Sequence, residues 1–117
     1  MHRDIKPANV MLSHNGCVKL LDFGLAETST RYHHGATGTP YYMAPEVIDK
    51  AYKELCDVWS VGVLSFYLLT GYRPFEGDSP EEVLQKIESG RVIFPEGVEL
   101  SNEAKDFVLQ LLVKDPE

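Results

Sequence analysis

Apolar and polar positions divide the chain into distinct stretches. Two short apolar runs, Asn9 to Ser13 and Cys17 to Leu21, flank His14-Asn15-Gly16, and the Asn-Gly pair between them predicts a β-hairpin. From Leu25 to Met43 periodicity disappears and polar residues gather, including Tyr32, His33, His34, Gly35 and Gly38, which predicts a mobile loop. The run from Asp57 to Thr70, followed by Gly71, is apolar on nearly every face. It predicts a helix that is buried all round and ends on a glycine C-cap. Ser79-Pro80-Glu81-Glu82 combines a capping box with Pro at the first helical position. Val83, Leu84 and Ile87 follow and Gly90 stops the run, as in a surface amphipathic helix. Ser101 opens a further helix with Ala104, Phe107, Val108, Leu111 and Leu112 on one face. The expected fold is mainly α with one short β-hairpin, without internal repeat or low-complexity tract.

Composition sharpens this picture in a few places. A chain of 117 residues can enclose one small core, and 44% hydrophobic with 25% charged residues fits a globular rather than a disordered protein. The net charge of −7, from 11 basic and 18 acidic residues, argues against a nucleic-acid surface and is compatible with cationic peptide partners. Cys17 and Cys56 read as reduced structural thiols of an intracellular, cytoplasmic protein rather than as a disulfide. The longest apolar stretch, Val58 to Leu69, is broken by Ser60, Gly62 and Ser65, and no charged-then-apolar leader opens the chain. Neither a membrane span nor secretion is expected. The adjacent His33 and His34 lack the Cys or carboxylate spacing of a zinc site and read as a solvated loop pair.

The chemistry concentrates near the start. His2-Arg3-Asp4-Ile5-Lys6-Pro7-Ala8-Asn9 presents a carboxylate, an ammonium and an amide on one short turn. The hairpin then returns a second carboxylate in Asp22-Phe23-Gly24. Phosphoryl transfer passes through a loose transition state with charge on the peripheral oxygens, so a protein has mainly to align the nucleophile and supply cations. Asp22 offers a hard oxygen donor for Mg²⁺ and Asn9 a neutral one, a donor set suited to an ion that shares its shell with water and phosphates. Asp4 is placed to orient a hydroxyl and accept its proton, and Lys6 to reach the transferred phosphate. Asp4 and Asp22 could alternatively be ordinary loop carboxylates serving as caps. Their joint occurrence within two motifs at this separation weighs against that.

In this order the two motifs resemble the catalytic loop and metal loop of protein kinases, and Lys6, two places after Asp4, resembles the serine/threonine branch. The resemblance implies a protein-kinase-like large (C-terminal) lobe, with ATP and Mg²⁺ as cofactors and a protein or peptide as substrate. It implies Asp4 as catalytic base, Lys6 as phosphate contact, Asn9 and Asp22 as metal ligands, and Met11 beneath the adenine. His2 and Phe23 would stack as internal supports, with Arg3 and Gly24 holding the same two loops. Gly38-Thr39-Pro40-Tyr41-Tyr42-Met43-Ala44-Pro45-Glu46 resembles the segment that closes the peptide-binding shelf, and Thr39 would bridge Asp4 and Lys6. Thr28, Ser29, Thr30 and Thr37 would then lie in an activation segment as candidate phosphosites, with Arg3 the cation that a phosphate could engage. An unmodified loop is the alternative. Asp57 would hold the backbone of His2 and Arg3 in place, and Trp59 and Gly62 on the same helix would be further structural supports.

The resemblance covers the whole chain but only part of the kinase fold, so residues 1–117 read as a partial kinase domain cut at both ends. A nucleotide-binding lobe would precede residue 2. The Arg that would pair with Glu46 would lie beyond the stretch resembling Lys114-Asp115-Pro116, and a buried carboxylate without such a partner is costly. Gly38 to Val47, Cys56 to Val63, Leu69 to Phe75 and Ser101 to Phe107 are most similar to the calcium- and calmodulin-regulated group, including the calcium-dependent protein kinases. Any calcium module would have to follow residue 117. Ala8 departs from the Glu that many relatives directed to basic substrates carry there, which lessens the expectation of an Arg-containing substrate. Two functions of different class are therefore expected. One is ATP-dependent phosphorylation of Ser/Thr hydroxyls by the parent protein. The other is a catalytically incompetent, pseudokinase-like binding module, since these residues alone should transfer little phosphate.

Overall fold

The computed structural model describes residues 1–26, 40–48 and 55–114. The candidate phosphosites Thr28, Ser29, Thr30 and Thr37, the bridging Thr39 and the His33-His34 pair lie outside the described residues.

Helix α2, Leu55–Thr70, is the longest described element and the centre of the apolar packing. Trp59, Val63 and Phe66, spaced at three to four residues, share one buried face with Cys56, Ser60 and Thr70. Helix α4, Asn102–Leu111, packs across α2 at Gly62, where a Cβ would come within 2.8 Å of Leu111 Cβ and Leu112 Cδ2. Only glycine permits that approach without displacing α4. Trp59 stacks on Phe75 at 5.6 Å between centroids and Phe66 on Phe94 at 5.3 Å, so the loops on either side of helix α3 are tied to α2 by aromatic contact. Full burial of a side chain such as Val63, Phe66 or Phe75 contributes roughly 1.5–3 kcal/mol.

The expectation of all-round burial does not hold for α2. Val58 and Val61 are 41% and 37% exposed and Leu68 is 72% exposed. An apolar face is compatible with burial but does not supply its own partner, and among the described residues packing reaches one side of this helix.

The end signals act as their chemistry dictates. Gly71, at φ +79°, donates its N–H to Tyr67 O and ends α2, while the Thr70 hydroxyl donates to Phe66 O. Helix α3, Pro80–Ser89, is capped by the Ser79 hydroxyl, which accepts from Glu82 N–H at 3.2 Å, and stops at Gly90 with φ +65°. Glu82 pairs with Lys86 one turn on and reaches back to the Asp78 N–H, and these bonds, the one to Lys86 foremost, hold its carboxyl below the usual range. Val83 and Ile87 carry the buried face of α3. In α4, capped by Ser101 on Ala104 N–H, Val108 is fully buried whereas Phe107 is 54% exposed, so the apolar face is wider than the contact it makes.

A 3₁₀ turn at Pro40–Tyr42 and a four-residue helix α1, Pro45–Ile48, complete the described helical part and pack against α3 and α2. The Ser60 hydroxyl donates to Tyr42 O at 2.7 Å and fixes the 3₁₀ turn to α2. The remaining elements are a 3₁₀ turn at Pro7–Asn9 and a two-stranded antiparallel hairpin, β1 Val10–Leu12 and β2 Val18–Leu20, in register Val10↔Leu20 and Leu12↔Val18. Its turn closes through Ser13 N–H to Cys17 O at 2.8 Å, with Gly16 at φ +84°. The described residues are thus mainly helical, with one small antiparallel sheet among them.

Candidate active site

The turn from His2 to Asn9 is held by polar contacts. Asp57, in the first turn of α2, accepts the backbone N–H of His2 at 2.6 Å on one carboxylate oxygen and that of Arg3 at 2.9 Å on the other. The chain is thereby clamped on a helix from which it is separated by more than fifty residues. Arg3 sits at φ +70°, a conformation that costs a non-glycine residue on the order of 1–3 kcal/mol and persists only where its surroundings fix it. The clamp is one such constraint. A second is the Arg3 side chain, whose Nε donates to Leu25 O at 2.5 Å.

His2 is buried and acts as a bracket between the turn and the hairpin. Its Nδ1 accepts the Asp4 N–H at 3.2 Å, so the proton belongs on Nε2, which donates to Leu21 O at 2.8 Å. The ring lies edge-on to Phe23 with centroids 4.9 Å apart. Leu21 in turn donates its N–H to Asn9 O at 2.8 Å. The residue before Asp22 is therefore bound on both its backbone groups to the His2–Asn9 turn, and Asp22 is delivered from a fixed point. Asp22 itself is at φ +55° and its Oδ1 accepts the Gly24 N–H at 3.2 Å. A Cβ on Gly24 would lie 3.1 Å from that oxygen, a close approach that favours glycine.

Within the turn, the charged and amide groups converge on Asp4. Lys6 Nζ is 3.4 Å from Asp4 Oδ2, and Asn9 Nδ2 donates both to Asp4 O at 2.8 Å and to Asp4 Oδ2 at 3.1 Å. Both of these bonds use the amide nitrogen of Asn9, and its carbonyl oxygen is the acceptor of that side chain. Asp4 and Lys6 remain partly exposed and Asn9 is buried. Met11 lies on the hairpin and is 55% exposed. Beside the turn, a cavity of about 450 Å³ is bounded by Met1, His2, Ile5, Leu20, Phe23 and Asp57.

The supporting residues on α1 and α2 form a separate, drier group. The carboxylate oxygens of Glu46 and the indole N–H of Trp59 are shielded from solvent. Burial pushes the Cys56 thiol up to about 12, with the negative charges of Asp57 and Glu46 adding to the shift, so Cys56 is an unreactive thiol. Cys17, on the hairpin, is free and exposed. No group of three or more His, Cys, Asp or Glu capable of holding a metal occurs among the described residues. No described helix is long and apolar enough to cross a membrane.

Sequence reasoning missed one contact of this region: the Arg73 guanidinium lies 4.2 Å above the Tyr41 ring. Burial raises the Tyr42 phenol, and a hydrogen bond and attraction from Arg73 partly oppose that rise. The Tyr41-Tyr42 pair and Arg73 are separated by thirty residues, and no local pattern joins them.

Comparison with known proteins matches residues 1–117 to the protein kinase domain. Calcium-dependent protein kinase 5 of Plasmodium falciparum is 39% identical over 96% of this chain and 21% of its own length. A serine/threonine-protein kinase of Arabidopsis thaliana is 40% identical over 98% of this chain and 25% of its own. A probable myosin light chain kinase of Dictyostelium discoideum is 41% identical over 99% of this chain and 39% of its own. The chain thus spans between about a fifth and two-fifths of the length of these curated relatives.

Proposed function

Because the chain belongs to the protein kinase family, we propose that the protein carrying it is a serine/threonine protein kinase and that residues 1–117 form the part of its large lobe holding the catalytic and metal loops. The observation that supports this most is the convergence of Lys6 and Asn9 on the Asp4 carboxylate, in a turn clamped by Asp57 and joined to Asp22 through His2 and Leu21.

The reaction is the attack of a protein Ser or Thr hydroxyl on the γ-phosphorus of ATP, with cleavage of the bond to the β,γ-bridging oxygen and release of ADP. Asp4 orients the hydroxyl and accepts its proton as the new P–O bond forms. Lys6, an ammonium beside that carboxylate, stabilises negative charge on the transferred group. The Asn9 carbonyl oxygen and the Asp22 carboxylate fit Mg²⁺: both are hard oxygen donors, and two protein ligands suffice for an ion whose other positions go to phosphate and water. When bound, Mg²⁺ neutralises charge on the phosphates. Met11, exposed on the hairpin, would lie beneath the adenine, and Thr39 would bridge Asp4 and Lys6. Thr28, Ser29, Thr30 and Thr37 are candidate phosphosites that Arg3 would engage.

The calcium-dependent protein kinase named above supports a calcium-regulated parent, with calcium or calmodulin acting through segments outside these residues. Dependence on ATP and the free thiols of Cys17 and Cys56 favour an intracellular, cytoplasmic location. The test is a transfer assay with labelled Mg-ATP and a Ser-containing protein substrate, using the full-length parent. Phosphoserine formation that Asp4→Asn lowers by on the order of a hundredfold or more is expected. No transfer by the intact parent in the presence of calcium and calmodulin would favour the binding-module alternative.

A further inference from the structure

The acidic balance of the chain is locally reversed. A groove of about 390 Å³ runs between the segment that follows α2 and the C-terminal part of α3, lined by Arg73, Pro74, Phe75, Lys86, Arg91 and Ile93. Three of the chain's 11 basic residues meet there, in a protein of net charge −7.

The three cations are held differently. Arg73 is fixed by its stack over Tyr41. Lys86 is oriented by donation to Glu76 O at 2.5 Å and by Glu82 Oε1 at 2.9 Å, while the other Glu82 oxygen is taken by the Asp78 N–H. Arg91 is exposed, and its guanidinium makes no ion pair among the described residues. Glu76 is the single carboxylate on the lining. The floor is firm, since Phe75 is fully buried and stacked on Trp59. Ile93, 66% exposed, offers an apolar contact beside the charges.

We propose that this groove binds an acidic protein segment, a run of Asp or Glu residues, with carboxylates meeting Arg91 and Arg73 and an apolar side chain resting on Ile93. Charge complementarity selects the occupant: fixed or uncommitted guanidinium groups around a shallow groove suit carboxylates, which guanidinium binds in bidentate fashion. Through Arg73 and Tyr41 the groove adjoins the segment that resembles the peptide shelf. That the acidic segment belongs to the phosphorylated substrate therefore rests on the kinase function proposed above.

The test uses the full-length protein and two fluorescein-labelled peptides, a Ser followed by a run of Glu, Asp and Leu, and the same peptide with Lys in place of each acid. Fluorescence anisotropy should show that the acidic peptide binds and the basic one does not, with affinity falling as salt is raised. Arg91→Glu should weaken the acidic peptide about fivefold or more. If that variant fails to fold, Arg91→Gln, with a smaller loss, decides on the same readout. Equal binding of both peptides, unchanged affinity in the Arg91 variants, or heparin binding with the same dependence on Arg91 would overturn the proposal. Phosphotransfer is read separately. Transfer without preference for the acidic peptide would overturn the groove and leave the kinase function standing. Binding without transfer would do the reverse.

Discussion

The turn and hairpin of residues 1–26 and the helical body around α2 are stabilised by different means. In the body, Trp59, Val63, Phe66, Phe75 and Val108 are almost wholly removed from water and the fold rests on apolar contact. In the hairpin, Met11, Leu12, Val18 and Leu20 are all more than 40% exposed, and the adjoining turn is held by a short chain of hydrogen bonds running Asp57, His2, Leu21, Asn9, Asp4. Apolar packing tolerates small adjustments, whereas a hydrogen-bond chain fixes direction as well as distance. The groups that would perform chemistry lie on the directed part, which is joined to the body through the Asp57 carboxylate and through Ile5, a member of the buried core.

The largest effect should come from breaking the body. Trp59→Ala removes the stacking partner of Phe75 and leaves a cavity in the core. A loss of about 3–5 kcal/mol is expected, read as a fall in the urea midpoint, and both regions should unfold together. Asp57→Ala should separate them. Two backbone N–H groups lose a charged acceptor, a cost of roughly 3 kcal/mol confined to the turn. Amide exchange at His2 and Arg3 should accelerate strongly while α2 and α4 stay protected. Equal acceleration throughout would mean that the turn is held by something other than this clamp. Gly62→Ala should cost about 1–3 kcal/mol by forcing α4 away from α2, with little change in exchange at His2.

A smaller effect concerns pH. The Cys56 thiol binds its proton more tightly in the folded chain, with its pKa moved from 9.0 to about 12. The unfolded chain therefore releases that proton first, and stability should fall between about pH 9 and 12 by up to about 1.4 kcal/mol per unit. Cys56→Ala should flatten this alkaline slope in denaturant titrations, whereas Cys17→Ala, at an exposed site, should leave it unchanged.

What was legible in the sequence follows the same division. The caps at Ser79, Gly90, Gly71 and Ser101 and the hairpin around Asn15-Gly16 were readable because each is decided by a few adjacent residues. Helix α1, four residues long, is too short to express a period. The left-handed conformations at Arg3 and Asp22 carry no local mark, since neither is glycine, and Arg3 is held by Asp57 and Leu25 far along the chain. For α2, apolarity on all sides indicated tolerance of burial but not where its partners would lie, and one face is open among the described residues. The contact of Asp57 with His2 and Arg3 spans more than fifty residues. Composition and periodicity could not suggest it; the resemblance of the motifs to kinases could.

In the proposed function Asp4 and Asp22 have separate tasks, one on the nucleophile and one on the metal. The most direct measurement compares nucleotide affinity and turnover in the full-length protein for Asp4→Asn and Asp22→Asn. Asp22→Asn should lose both, because a neutral amide binds Mg²⁺ more weakly and the phosphates lose their shared cation. Asp4→Asn should keep Mg-ATP affinity near that of the unaltered protein while turnover falls by on the order of a hundredfold or more. Near-normal turnover in either variant, or equal loss of nucleotide affinity in both, would contradict the division of roles.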